Sequence, residues 1–465
     1  MNCSPCASGS NYSSVSSINN NVAVEGNIYD AFSRLIVETP FTLLTSHVSF
    51  TPQLEIIGYT STGTGSVFID LSNTVVQMST TGSGASRAFR QTLEYQLYQP
   101  GKSHQAIMTW TPQYKGTFDT SVAVRCGIYD DYRDKNTPVG PTGAPPYLYA
   151  SSIYGGLGVE TDQPSMGHFF ELSGNSWFVV ERYNSPNNII NVLRVAQSNW
   201  NVDTLNPAYG NNPSGVTLQK DKESLFWIER QWLGVGLVNM GIYNLGKRII
   251  CHQFQNRGIK IPYTALNKLP LRTEIEKVTG GSTEPAATAS ICWASQIDGE
   301  YIPVGATFSL PANLTNAVTA LSDTLLKPIL LIRLQQQYCR ATFKIKDIQM
   351  YGSLAGSYSI LKNPTITGSI TWVNHPDKRS MVQYAVFQTS PTPPTNNVSG
   401  GQCIESGFFD KRTTGMAAAT VQDLVNAPSF CSDIKGNPDV FCVAMMALQG
   451  SSTNGNANVK WIEIV

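Results

Sequence analysis

From Val22 onward the chain returns, at intervals of roughly ten residues, to a short run of β-branched and aromatic residues that Gly, Pro, Asn or Asp then cuts off. Runs this short suit strands better than helices, and the residues that bound them are those that turns demand. Ser66–Leu71 (SVFIDL), Leu93–Tyr98 (LEYQLY), Ala106–Thr111 (AIMTWT), Val122–Tyr129 (VAVRCGIY), Trp177–Arg182 (WFVVER), Ile189–Val195 and Leu225–Arg230 fit the pattern. Several alternate apolar with polar, which puts one face in a core and the other in water. Gly234–Tyr243 and Lys247–Phe254 read as a hairpin turned by Asn244, Leu245 and Gly246. Helical signal is confined to Asn313–Lys327 and Ala417–Val425. The expectation is an all-β chain.

Its 465 residues leave room for two or three domains, each with a sufficient core. Residues 1–20, rich in Ser, Asn and Gly, hold too little apolar surface to order themselves and read as a flexible, disordered N-terminal arm. At Thr279–Thr288 (TGGSTEPAAT) the strand pattern lapses, and a boundary falls there. Two jelly-roll-like β-sandwich domains are expected, over 21–285 and 286–465. The second set of strands covers Ser290–Ala294, Pro328–Leu334, Ala341–Met350, Gly368–Trp372, Met381–Gln388, Val440–Leu448 and Val459–Val465, with a projecting loop at Ser390–Gly401. No repeat of fixed period suggests a propeller or solenoid.

Composition narrows the partners. Charged residues make up 14%, and 32 basic residues balance 32 acidic ones. Without a basic stripe, direct nucleic-acid binding is not expected. A surface with few charges and no net charge resists self-association weakly and tolerates burial against neighbours. The opening MNCSPCASGSNYSS has neither a basic leader nor an apolar stretch, and no apolar run approaches the ~20 residues of a transmembrane segment. A soluble chain made in the cytosol follows as the expectation. The 9 cysteines are scattered; only Cys3 and Cys6 have ligand spacing, and no second pair answers them. Buried free thiols are expected, with a late disulfide as the alternative. Sequons at Asn2, Asn11, Asn313 and Asn397 carry little weight without a secretory leader.

No arrangement of titratable groups reads as a catalytic, cofactor or metal site. His47, His104, His168, His252 and His375 lie far apart and form no HExxH or HxH pattern. Gly101, Lys102 and Ser103 imitate the end of a phosphate loop, but Gln96 stands where another Gly is required and a strand follows, so a tight turn is expected. Gly234, Gly236 and Gly241 lack a surrounding strand-turn-helix unit and point to close strand packing. The sharpest enzymatic hint is Glu171, Glu181 and Glu229 in aromatic-rich strands, where two carboxylates would suit a sandwich glycoside hydrolase. Glu181 and Glu229 each precede an Arg, so solvent-face ion pairs are the plainer expectation. Aromatic side chains could stack on sugar rings, or serve as core and interface residues.

Several stretches together resemble a family of virion proteins from large double-stranded DNA viruses and marine tailed phages. They are Asp30–Val37 (DAFSRLIV) with Phe41–Leu44 behind it, Arg90–Ser103 (RQTLEYQLYQPGKS), Cys126–Asp131, Phe169–Leu172, Trp200–Asp203, Phe226–Gly241 (FWIERQWLGVGLVNMG) and His252–Ile275. Ser33 and Ile36 depart from the family's pattern. The resemblance implies a non-enzymatic minor capsid, penton or spike-type protein in the virion. Its implied partners are the major capsid protein, neighbouring minor proteins and further copies of itself. The alternatives are a carbohydrate-binding host-recognition module and a sandwich hydrolase.

Overall fold

The computed structural model describes residues 15–18, 21–24, 40–131, 134, 166–184, 190–258, 267–301, 305–310, 319–387, 393–409, 428–448 and 454–464, less positions 55, 97, 232, 279, 282 and 354. Numbered along the chain, β1 (Val15–Ile18) and β2 (Asn21–Val24) form an antiparallel pair, so regular structure begins inside the stretch read as an arm; residues 1–14 lie outside the described set.

The described residues divide into two compact units, the first ending at Tyr301. In the first unit, β4 (Ile57–Thr62), β7 (Ser86–Thr92), β9 (Val122–Tyr129), β10 (Gly167–Ser173), β11 (Ser176–Asn184), β12 (Ile190–Ala196) and β16 (Leu271–Lys277) make a seven-stranded sheet ordered β12-β11-β10-β9-β16-β7-β4. An eight-stranded sheet joins β3 (Phe41–Ser46), β5 (Ser66–Asp70), β6 (Val75–Thr80), β8 (His104–Lys115), β13 (Ser224–Arg230), β14 (Leu237–Asn244), β15 (Lys247–Gln255) and β17 (Ala286–Ile297). Its order is β15-β14-β13-β8-β17-β6-β5, with β3 also on β17. All pairings are antiparallel.

Alternation decides which side chains meet. Val124, Cys126, Ile128, Phe170, Leu172 and Val179 from one sheet pack against Met108, Trp110, Phe226, Ile228, Val238 and Met240 from the other. Arg90 also faces inward. It is fully buried, its guanidinium 3.9 Å over the Trp293 ring, and it donates across the sandwich to Ser46 Oγ, Ser290 Oγ and the Ile291 carbonyl. Burial pushes the Arg90 guanidinium down to about 10.

In the second unit, β20 (Lys327–Leu334), β22 (Gly356–Lys362), β24 (Val373–Asn374), β25 (Val382–Val386), β27 (Gln402–Phe409) and β29 (Val440–Ala447) form a six-stranded sheet ordered β24-β25-β20-β29-β22-β27. It shares a core with β18 (Ala306–Ser309), β19 (Thr319–Ala320), β21 (Thr342–Gly352), β28 (Ser429–Phe430) and β30 (Asn454–Ile464), through residues such as Leu330, Ile332, Val443, Phe343, Ile348 and Trp461. A short pair, β23 (Thr365–Ile366) with β26 (Val398–Ser399), completes it. Among the described residues there is no α-helix, and each unit is a β-sandwich.

The structure corrects four readings. The boundary does not fall at 285/286: β17 lies between β8 and β6 in the first unit's sheet, and the Gly-rich stretch before it carries the chain from β16 in one sheet to β17 in the other. Leu93–Tyr98 is not a strand. After Thr92 the chain leaves the sheet, the Leu93 amide bonding the Ile56 carbonyl and the Gln96 amide the Leu269 carbonyl, while Tyr95 and Tyr98 are buried from irregular backbone. Gly368–Trp372 is not a strand either; strand structure there is limited to β23 and β24. Asn313–Lys327 is not a helix where it is described, since β19 lies within it and β20 begins at its end. Ala417–Val425 lies outside the described residues.

Candidate functional site

The three glutamates point to three different places. In β10, Phe170 and Leu172 take the core side, so Glu171 between them faces outward from the seven-stranded sheet. Its oxygens accept from Arg125 Nε at 2.7 Å and Arg194 Nε at 2.6 Å. Burial pushes the Glu171 carboxyl up, but the two guanidinium groups outweigh it and hold the group below its usual range. In β11, Glu181 lies on the same face as Trp177 and Val179, inside the sandwich. There its Oε2 meets His168 Nε2 at 2.9 Å and accepts from Asn256 Nδ2 at 3.0 Å. In β13, Phe226 and Ile228 face the core, so Glu229 faces outward from the other sheet. It accepts from Arg248 and from Asn239 Nδ2, and Arg248 stacks 3.9 Å from the Trp227 ring.

A glycosidase needs two carboxyl groups flanking one bond, about 5 to 9.5 Å apart. These three lie on opposite faces of one sheet and on the far face of another, so no two of them converge on a common opening. The solvent-face ion pairs hold in part: Glu229 faces outward and pairs with Arg248, whereas Glu181 points into the sandwich. Glu181 and Glu229 are 2% and 3% exposed, and neither pairs with the Arg that follows it, because consecutive strand residues point to opposite faces.

The other singled-out residues are only partly dispersed. His47 is exposed, and His104 and His375 are buried in separate surroundings, but His168 and His252 both pack on the Phe254 ring, with Glu181 bonded to His168 and acting on the His252 charge. His104 Nε2 accepts from the Gln99 amide and His252 Nδ1 from the Asn201 amide, which fixes both rings as neutral acceptors. Burial pushes His252 down to about 4 and His104 well below its usual value. Among the described residues no group of three or more His, Cys, Asp or Glu is placed to hold a metal ion, and Cys3 and Cys6 lie outside them. Cys126, Cys251, Cys339, Cys431 and Cys442 are buried and Cys292 and Cys403 exposed, none of these seven in a disulfide. Gly101 (φ 84°) sits in a turn closed by the Lys102 amide on the Gln99 carbonyl, directly before β8. A Cβ at Gly241 would lie 1.9 Å from the Ile249 carbonyl oxygen and 2.6 Å from the Trp227 ring, so close strand packing accounts for that glycine. Trp110, Trp177, Trp200, Trp227, Trp293 and Trp461 are buried, which removes them as stacking platforms for sugars.

Sequence reasoning missed the densest polar feature. The outer face of the seven-stranded sheet carries a lattice of charges drawn from strands far apart in the chain. Arg87 donates to Asp131 (2.7 Å), Asp134 (3.1 Å) and Glu274 (3.0 Å). Arg125 donates to Glu171, Glu274 (2.9 Å) and Glu276 (2.5 Å). Arg272, fully buried over the Phe89 ring at 3.5 Å, donates to Asp134 (2.5 Å) and to Glu274. Alternate charges in LRTEIEK and VAVRCGIY were the available signal, but by periodicity alone they indicate a wet face.

A second ordered feature is the loop from Trp200 to Leu218. Asp203 caps it from within, accepting from the Leu205 amide at 2.8 Å and the Ser214 amide at 3.0 Å, while the Thr204 amide bonds the Asn211 carbonyl. Tyr209 projects from its tip, 46% exposed, among exposed or half-exposed Asn206, Asn211 and Asn212.

The geometry defines a β-sandwich protein with a lattice of ion pairs on the outer face of one sheet. No protein-family model matches the chain, and no curated protein does. Among solved structures it is similar to the carbohydrate recognition domain of Emp46p in its metal-free form (8% identity, TM-score 0.31, 57% of this chain and 100% of that one). It is similar also to a β-glucanase from Bacillus licheniformis (9%, TM-score 0.32, 57% and 100%). A third is a legume lectin-like domain from Entamoeba histolytica (11%, TM-score 0.30, 55% and 98%). At such scores the likeness carries no weight for function, and the fold stands on the sheets themselves.

Proposed function

We propose that the chain is a structural building block of a virus particle, a minor capsid, penton or spike-type protein that acts through contacts with other capsid proteins and with copies of itself. One residue carries the contact role. Leu245, at the tip of the β14–β15 hairpin, is 94% exposed and holds φ at 50°. A γ-branched apolar residue gains nothing from water and is disfavoured in the left-handed region, where Asn or Gly would serve the turn better. We read a side chain held in this way as a contact offered to a surface outside the chain. Phe50 (87%), Leu54 (62%) and Phe408 (79%) are further large apolar groups offered to solvent. Of the three carboxylates considered, Glu171 and Glu229 are paired with arginines, and Glu181 is hydrogen-bonded to His168 and Asn256 inside the sandwich. The virion as the setting comes from the sequence resemblance.

Mass spectrometry of washed particles should find the chain in fixed ratio to the major capsid protein. Its presence in infected cells and absence from washed particles would overturn the reading. A second reading, glycan recognition, rests on the Trp200–Leu218 loop, whose rigid frame and exposed Tyr209 suit a sugar ring. On that reading a glycan array gives a signal that Tyr209→Ala abolishes; a blank array removes it.

A further inference from the structure

Arg182 breaks the rule of the charged face. Arg87, Arg125, Arg194 and Arg272 on the outer side of the seven-stranded sheet each donate to a carboxylate. Arg182 is 4% exposed and donates to nothing among the described residues, with Nε and Nη1 buried and unpartnered. Its guanidinium lies 4.5 Å from the centroid of the Phe169 ring. Two strands away Tyr129 is in the same condition, fully buried with a hydroxyl that meets no partner.

Register brings the two together. Gly167 in β10 is paired with Arg182 on one side and with Tyr129 on the other. Residues directly opposite in an antiparallel sheet point to the same face, and the glycine between them lets Tyr129 pack close, since a Cβ at Gly167 would lie 2.5 Å from the Tyr129 Cβ. Phe169 forms a common floor, its ring 4.7 Å from that of Tyr129. On the far side of Arg182 the opposing residue is Val192, 44% exposed, so Arg182 lies beside solvent-facing surface at the β12 edge. A buried donor without an acceptor is costly, and two such donors against one aromatic ring, one of them cationic, call for a small anion with acceptor oxygens.

We propose that Arg182 and Tyr129 form a binding site for a small carboxylate. A carboxylate suits it better than a phosphate, because Asp131 and Glu171 already act on the Arg182 charge and would repel a dianion. A flat monoanion also matches the planar guanidinium and the aromatic floor. Burial, with Arg125 adding to it, pushes Arg182 down to about 10, so a bound anion would relieve a strain that the free protein carries. This site is separate from the contact role proposed above and does not depend on it.

The test is thermal denaturation of the full chain at neutral pH and fixed ionic strength, with sodium acetate replacing sodium chloride. The melting temperature of the unaltered protein should rise with the logarithm of acetate concentration. Tyr129→Phe, which deletes one oxygen, should require about tenfold more acetate for the same rise. Arg182→Met should abolish the dependence and, without acetate, melt no lower than the parent, since it removes an uncompensated buried cation. An equal acetate response in all three proteins, or a larger response to inorganic phosphate, overturns the site. Should Arg182→Met fail to fold, Tyr129→Phe and the Arg182 Nε–H resonance still decide, and a resonance that acetate leaves unmoved has the same consequence.

Discussion

Glu274 shows what a single side chain does on the charged face. Buried in β16, it accepts from three guanidinium groups, those of Arg87, Arg125 and Arg272. Glu274→Gln keeps the shape and removes the charge, leaving those arginines under-compensated. We expect a loss of about 3 to 5 kcal/mol, read from urea denaturation. The neutral histidines set a pH limit. In the folded chain His252 and His104 have pKa values below the ordinary 6.5, so the unfolded chain binds more protons as pH falls through that value. Their contribution is therefore complete above about pH 6.5 and is lost progressively toward pH 4 for His252. Melting temperature should be flat above neutrality and fall between pH 6.5 and 4.5, with the fall shallower in His252→Gln. At this scale the sequence singled out Glu171, Glu181 and Glu229 but neither their partners nor Glu274. Glu171 and Arg125 are opposed across strands, and nothing local in either segment records the pairing.

Strands were the most legible elements, because a period of two survives whatever the neighbours are. Val122–Tyr129 matches its observed bounds, and the hairpin closes where Asn244, Leu245 and Gly246 indicated, with Leu245 (φ 50°) and Gly246 (φ 78°) both left-handed. The failures share one cause. LEYQLY carries strand composition, but its backbone bonds are made to irregular partners at Ile56 and Leu269, and composition does not encode partners. TGGSTEP looks like a linker because a crossing between sheets needs the same flexible residues as a crossing between domains. At the β14–β15 turn, Leu245→Asn should stabilise the fold by about 0.5 to 1 kcal/mol, since Asn tolerates the left-handed region. Thermal denaturation checks the gain; on the contact role proposed above, incorporation of the same variant into particles should fall.

For the molecule as a whole, the position of β17 decides where the chain can be divided. A fragment ending at residue 285 lacks the strand between β8 and β6 and should fail to fold, whereas one ending at 301 should give a cooperative β-type circular dichroism transition; equal behaviour of the two would contradict the sheet order. Low charge and two sandwiches were legible from the whole sequence, because both are averages over many residues. The assignment of β17 was not, because it rests on pairings between distant segments. The same strand also takes Phe41–Ser46 as a neighbour, with Ile297 opposite Phe41. The N-terminal part of the first unit is thus sewn to its last strand. On a ribosome adding about 5 to 20 residues per second, Phe41 must wait roughly 10 to 50 seconds for Ile297 to be synthesised. Throughout that interval the nascent sandwich has an unfinished seam, and the cell must shield it from every other nascent copy on the same message.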